Sequence, residues 1–359
     1  MTKQLDILNE KVINDLNKIA SSTEPRQVLS KEKFDMWNYY LAETVRIISE
    51  HLLQLYQRQH QPIPVSRMAQ QDLEEKVIKY ADGTRYVGHL DDGRRHGHGS
   101  CTYPNDNRYD GEWKEDKCHG LGVLTTPEGT YEGDWENGQR RGFGVYKSKD
   151  NEIYCGQWNG EREGWGKCEY ANGDVYEGEW ENGKKNGYGK LRFKDGRVYE
   201  GEFRHDLADG RGTRVRSHTT YVGNWKEGKC DGFGTYESRD EETKEIKERY
   251  EGDWKQGQRH GLHGKHTKWT KDRKRVIYKG EWKNDIREGK GTLSEANGDK
   301  FEGLWEHDSK HGSGVYITTS GKKIYQEWKH GKLVGEKEPN NHNFFQRLFG
   351  RNPKSPRGK

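Results

Sequence analysis

Residues 131 to 144 read YEGDWENGQRRGFG. Tyr131, Gly133 and Trp135 alternate with Glu132, Asp134 and Glu136, and that period of two places an aromatic face and a charged face on one β-strand. Asn137-Gly138 then supplies two residues that tolerate positive φ, the requirement of a tight hairpin turn. The chain returns through Gly142-Phe143-Gly144. One such hairpin is marginal in water and needs neighbours.

The neighbours are copies. The pattern restarts at Tyr86, Tyr109, Tyr131, Tyr154, Tyr176, Tyr199, Tyr221, Tyr250, Tyr278 and Phe301, with a degenerate start at Tyr325. The first seven starts are 22 or 23 residues apart. A glycine follows two positions after each of the ten full starts, and the residue two further on is tryptophan in eight, Leu90 and Phe203 being the exceptions. Turn dipeptides separate the copies: Asp82-Gly83, Glu128-Gly129, Asn172-Gly173, Asp195-Gly196 and Asn297-Gly298. Two steps are longer, and their surplus, DEETKEIKER at 240–249 and TKDRKR at 270–275, is expected to extend hairpins into solvent. The intervening glycines are expected to leave holes that aromatics from the next hairpin fill. The expected fold is mainly β: a single-sheet solenoid of about ten hairpin repeats, on the order of 100 Å long at two strands per repeat.

The flanks follow other periods. Leu5, Leu8, Val12, Leu16 and Ile19 are three or four apart, and Phe34, Trp37, Leu41, Val45, Ile48, Leu52 and Leu55 form a second apolar stripe at helical spacing. Residues 1–75 therefore read as an amphipathic helical segment, residues 76–338 as the repeat array and 339–359 as a short tail. The stripe either caps the open end of the array or mediates a homodimer; no strict coiled-coil seam decides between them. The tail combines Phe344, Phe345, Leu348 and Phe349 with Arg347, Arg351, Lys354 and Arg357. Such a wedge suits docking on the array's own end, a groove on a partner, or an anionic membrane.

Composition changes the picture in one respect. Only 29% of the 359 residues are hydrophobic and 34% are charged, which alone would suggest disorder. Twelve tryptophans and twenty tyrosines make a thin repeated core the consistent alternative. The net charge of +4 does not describe a nucleic-acid-binding polycation. The five cysteines, Cys101, Cys118, Cys155, Cys168 and Cys230, lack the spacing of a zinc site or a disulfide framework. With neither a leader-like apolar run nor a membrane-spanning one, a cytoplasmic setting is expected.

The phrase Y-E-G-x-W-x-x-G-x-x-x-G-x-G resembles the MORN (membrane occupation and recognition nexus) repeat, over about 250 residues. Local departures are Leu90, a residue missing between Trp158 and Gly164, His263 between Gly261 and Gly264, and the shortened copy at Tyr325–Trp328. The resemblance implies a scaffold of cilia, flagella or cytoskeleton, or an organiser of membrane junctions.

Chemistry is sparse. No stretch remains for an enzyme domain, and the glycine pairs lie between strands rather than between strand and helix, so they form no nucleotide cradle. No catalytic residue or cofactor is expected. His96, His119, His260 and His311 precede the first glycine of a return strand, a packing or turn position. His260, His263 and His266 are three apart but are not expected to gather on a metal. Arg94-Arg95, Arg140-Arg141 and Lys184-Lys185 read as parts of a solvated mixed-charge face. The expected function is a non-enzymatic scaffold that binds protein partners, of cytoskeletal or axonemal kind, through Trp113, Trp135, Trp158, Trp180, Trp225, Trp254, Trp282 and Trp305. The alternative is a peripheral membrane organiser that binds phosphoinositides through the tail and the turn lysines.

Overall fold

The computed structural model describes residues 76–337. The two helical stripes of residues 1–75 and the apolar and basic tail lie outside the described residues. The described chain is one antiparallel sheet of 23 strands, from β1 (Lys76–Lys79) to β23 (Lys332–Lys337). Each strand pairs with the strands before and after it in sequence, as β5 (Lys117–Thr126) pairs with β6 (Gly129–Glu136), β6 with β7 (Gln139–Ser148), and β7 with β8 (Ile153–Asn159). The sheet therefore grows by neighbour contacts alone, as the repeat period requires.

Turn chemistry sets this succession. Asn137 and Gly138 have φ of 54° and 83°, the paired positive values of a type I′ hairpin. Asp116, Asp206, Asp285 and Asp308 stand in the glycine's place in other copies, with φ between 61° and 72°. The residue missing after Trp158 is lost from this turn: Asn159 pairs with Glu161 around Gly160 alone. The long steps are indeed lengthened hairpins, with β15 at Lys229–Arg239 and β17 at Gln258–Trp269.

The core lies in the glycine rows. Gly133 faces Gly144 across β6 and β7, and a Cβ on Gly133 would sit 2.5 Å from the Gly144 Cα. The Tyr131 side chain lies over that pair, such that a Cβ on Gly144 would come within 2.6 Å of its ring. The hole left by glycine is thus filled by the tyrosine of its own strand. Its hydroxyl donates to the Asp134 carbonyl at 3.0 Å, and the same bond recurs from Tyr86 to His89 and from Tyr154 to Gln157. The next copy contributes a tryptophan. Trp158 Nε1 donates to the Gly144 carbonyl at 3.1 Å, and its ring meets Tyr131 and Tyr154 edge-on, each at 5.1 Å. This alternation of tyrosine and tryptophan runs from Tyr86–Trp113 to Phe301–Trp328. Each edge-to-face pair adds about 0.5–1.5 kcal/mol beyond the area it buries.

The inserted His263 breaks the ladder at one step. It introduces an extra bulge between Gly261 and Gly264, and Trp282 Nε1 is buried without a hydrogen-bond partner.

Candidate protein-binding face

Period two divides each strand between two faces, and the structure reverses the expected role of one. Trp113, Trp135, Trp158, Trp180, Trp225, Trp282 and Trp305 are 3–7% exposed, and Trp254 is half-buried against the same core. Their indole rings are wedged between the tyrosine and phenylalanine rings of successive copies, so they offer little surface to a partner. The expectation that these tryptophans are contacts is corrected: they hold successive hairpins together.

Basic residues of the return strands seal this core. Arg95 sits 4.2 Å above the Trp113 ring, Arg140 4.8 Å above Trp158, Arg259 4.4 Å above Trp282 and Arg287 4.3 Å above Trp305. Arg162, Lys185 and Lys310 occupy the same position and cover Trp180, Tyr176 and Trp328. Where Ala208 takes this place, Arg214 from further along the strand covers Trp225 at 4.9 Å. Asp116 in the next hairpin turn accepts from both the backbone N–H and Nε of Arg95, each at 3.0 Å. Asp285 and Asp308 do the same for Arg259 and Arg287. Burial holds the Lys185 ammonium below its ordinary pKa, against the opposing pull of Asp206. One member of each basic pair (Arg95, Arg140 and Lys185) is therefore packing material, not solvated charge. Its recurrence eight or nine residues after the opening tyrosine or phenylalanine was the available signal.

The opposite face carries the middle residue of each Gly-x-Gly. Leu121, Phe143, Trp165 and Tyr188 occupy this place in four successive copies and Phe233 in a later one, and Leu262 follows the first glycine of the copy that His263 lengthens. Leu121 is 40% exposed, Phe233 60% and Leu262 62%; Phe143, Trp165 and Tyr188 are half-buried. An acid or amide ahead of each tryptophan fixes this residue's backbone. Glu112 accepts from the Leu121 N–H, Asp134 from Phe143, Gln157 from Trp165 and Glu179 from Tyr188, at 2.7–3.2 Å. These bonds satisfy donors that the bulge beside Gly-x-Gly removes from the ladder.

Val123 pairs with Glu132 and Val145 with Cys155 on the same face. In the copies that start at Tyr109 and Tyr131, this face consists of Leu121, Val123, Phe143 and Val145 with Asp110, Glu112, Glu132 and Asp134. Basic residues lie at the strand ends of the same face: Arg108 pairs with Asp110 at 2.8 Å and Arg141 with Glu136 at 2.9 Å, which leaves Glu112, Glu132 and Asp134 beside the apolar residues. The result is an apolar strip bordered by carboxylates.

The remaining candidates do not converge. His260 pairs with Asp253 and His266 with Tyr250 across the ladder, and His266 bonds Glu248 at 2.6 Å. His263 lies in the bulge, so the three histidines share no centre. His119 and His260 each bury an Nδ1 without a partner, while His96 and His311 lie beside Asp91 and Glu306. All five cysteines are free. Burial pushes the Cys155 thiol up to about 11 and those of Cys118 and Cys168 up to about 12, which makes them poor nucleophiles. Among the described residues, no helix is long and apolar enough to cross a membrane.

The model of the MORN repeat matches ten successive segments between residues 86 and 323, the first at 86–108 and the last at 301–323. The chain belongs to the MORN repeat family. That family is defined by a structural repeat and is not an enzyme family. The MORN matches begin at the tyrosine or phenylalanine that opens each copy, so the family's repeat starts and those of the core ladder are the same residues. No curated protein matches the chain. Among solved structures, it is similar to the TCP10 domain of Danio rerio CPAP, with a TM-score of 0.22 at 10% identity over 74% of this chain and 100% of that one. It is also similar to the Drosophila melanogaster SAS-4 TCP domain solved with a proline-rich motif of Ana2, with a TM-score of 0.19 at 13% identity over 60% and 90%. Both likenesses are too distant to carry an argument.

Proposed function

We propose that this MORN repeat protein is a non-enzymatic scaffold that takes up a partner protein on the face carrying the Gly-x-Gly middle residues. The observation that carries the reading is the strip of Leu121, Val123, Phe143 and Val145, held on a hydrogen-bonded β framework and bordered by Asp110, Glu112, Glu132 and Asp134. Apolar area supplies the affinity, and fixed carboxylates select the sign of the partner's charge. The fitting occupant is a segment that carries apolar side chains on one side and lysine or arginine beside them. The family's usual settings suggest a ciliary or cytoskeletal assembly for such a complex.

Panning a random peptide library on the full chain tests the reading. Peptides rich in both apolar and basic residues should be enriched, and Phe143→Glu together with Leu121→Glu should abolish their capture. Enrichment of acidic peptides, or capture that the double variant leaves unchanged, would defeat it. Retention on phosphoinositide vesicles, with no peptide enriched, would instead favour a membrane-bound role.

A further inference from the structure

The last full copy differs from the others at its outer edge. Strand β20 (Lys300–Glu306) turns through His307 and Asp308 into β21 (Ser309–Ile317), and the following hairpin joins β22 (Lys323–Lys329) to β23 through His330 and Gly331. This arrangement brings three possible ligands together. Glu306 Oε2 lies 3.0 Å from His311 Nδ1 and 3.7 Å from His330 Nδ1, and all three atoms lie within 4.8 Å of one another.

Comparison with other copies shows what is unusual. At the position of His311, four earlier copies carry a carboxylate that accepts from the backbone N–H of the next hairpin turn, while His96, His119 and His260 occupy it in three others. Glu163 does so for Asn182 at 3.1 Å, Asp231 for Gln256 at 3.0 Å and Glu288 for His307 at 3.2 Å. His311 Nδ1 inherits this duty, receiving the His330 N–H at 3.4 Å. A nitrogen that accepts presents a lone pair and not a proton. The same nitrogen nevertheless faces a carboxylate oxygen at 3.0 Å, and that oxygen is buried without a hydrogen-bond donor. That contact needs a proton or a metal ion between the two atoms, and with His330 Nδ1 close by a metal ion can join all three groups in place of the proton and of the weak 3.4 Å contact.

We infer that Glu306, His311 and His330 bind one divalent transition-metal ion of the zinc class, which clips the terminal hairpin to the copy before it. Two imidazole nitrogens and one carboxylate form a borderline donor set suited to Zn²⁺. With bonds of about 2.0–2.2 Å, tetrahedral ligands stand roughly 3.3–3.5 Å apart, close to the separations present. His330 is exposed, which leaves the fourth position to water. The terminal hairpin has reason to need the clip: Trp328 Nε1 bonds Gln326 Oε1 at 3.1 Å in place of the glycine carbonyl used by earlier copies.

Isothermal titration of the full chain with Zn²⁺, paired with native mass spectrometry, tests the site. One ion should bind per chain, and it should raise the melting temperature. His330→Asn keeps a residue that tolerates the positive φ of 43° at this position, and should weaken that binding by at least about tenfold, as should Glu306→Gln. His96→Gln, at the matching position of the first copy, should leave it intact. Absence of binding, or one-ion binding that both ligand variants retain, would overturn the inference.

Discussion

Trp158 and Trp165 are seven residues apart and belong to one hairpin, yet they face opposite sides of the sheet. Trp158 is 5% exposed and donates its indole N–H to Gly144. Trp165 is half-buried on the other face, with an indole nitrogen that has no partner. One ring closes the seam between hairpins, and the other lies on the face proposed to take a partner. Residue type therefore says little here, and the position within the repeat says almost everything. A tryptophan in the ladder answers to its neighbouring copies, whereas the Gly-x-Gly residue is free to vary with the partner.

The sharpest way to break this contrast is to crowd the ladder face. Gly133→Ala forces a Cβ against the Gly144 backbone, and the account expects a loss of about 3 kcal/mol or more in denaturant unfolding. A loss below 1 kcal/mol would show that the close glycine pairing is dispensable.

Alkali should act on the same face. Burial raises the Tyr86 phenol to about 12, and it pushes Tyr131, Tyr154, Tyr250 and Tyr278 up as well. A folded pKa above the unfolded value of about 10 means that the folded chain holds protons the unfolded chain releases. The contribution to stability is complete below about pH 10 and is lost as pH rises through about 12. Melting temperatures should fall across that window, together with phenolate absorbance that appears cooperatively on unfolding. Gradual phenolate formation in a chain that stays folded would contradict the burial.

A smaller effect separates adjacent arginines. Arg140→Ala removes a cation stacked on Trp158 and should cost about 1–2 kcal/mol. Arg141→Ala removes only an exposed pair with Glu136 at 2.9 Å and should cost less than about 0.5 kcal/mol. Equal costs would refute the packing role of the first arginine. The smallest effect is expected of Phe143→Ser, which should shift stability by about 0.5 kcal/mol or less yet abolish capture of basic, apolar peptides.

Much of this was legible in the sequence, because the repeat is local. Strand alternation around Gly133, the type I′ signal at Asn137-Gly138 and the lengthened hairpins all arise within one copy. What the sequence obscured depends on neighbours. That Tyr131 lies on its own glycines leaves no room for a partner beside the tryptophans, but this follows only from the close approach of Gly133 and Gly144. The stacking of Arg95 on Trp113, and its bond to Asp116, join residues of successive copies. Glu306, His311 and His330 meet for the same reason: the terminal turn lies beside the previous one, a proximity that residue spacing alone does not display.

The most direct test of the division between faces is chemical unfolding of Trp158→Ala beside Trp165→Ala in the full chain. The account predicts a loss of about 3–5 kcal/mol for the first and less than about 1 kcal/mol for the second. Equal losses, or a larger loss at Trp165, would contradict it.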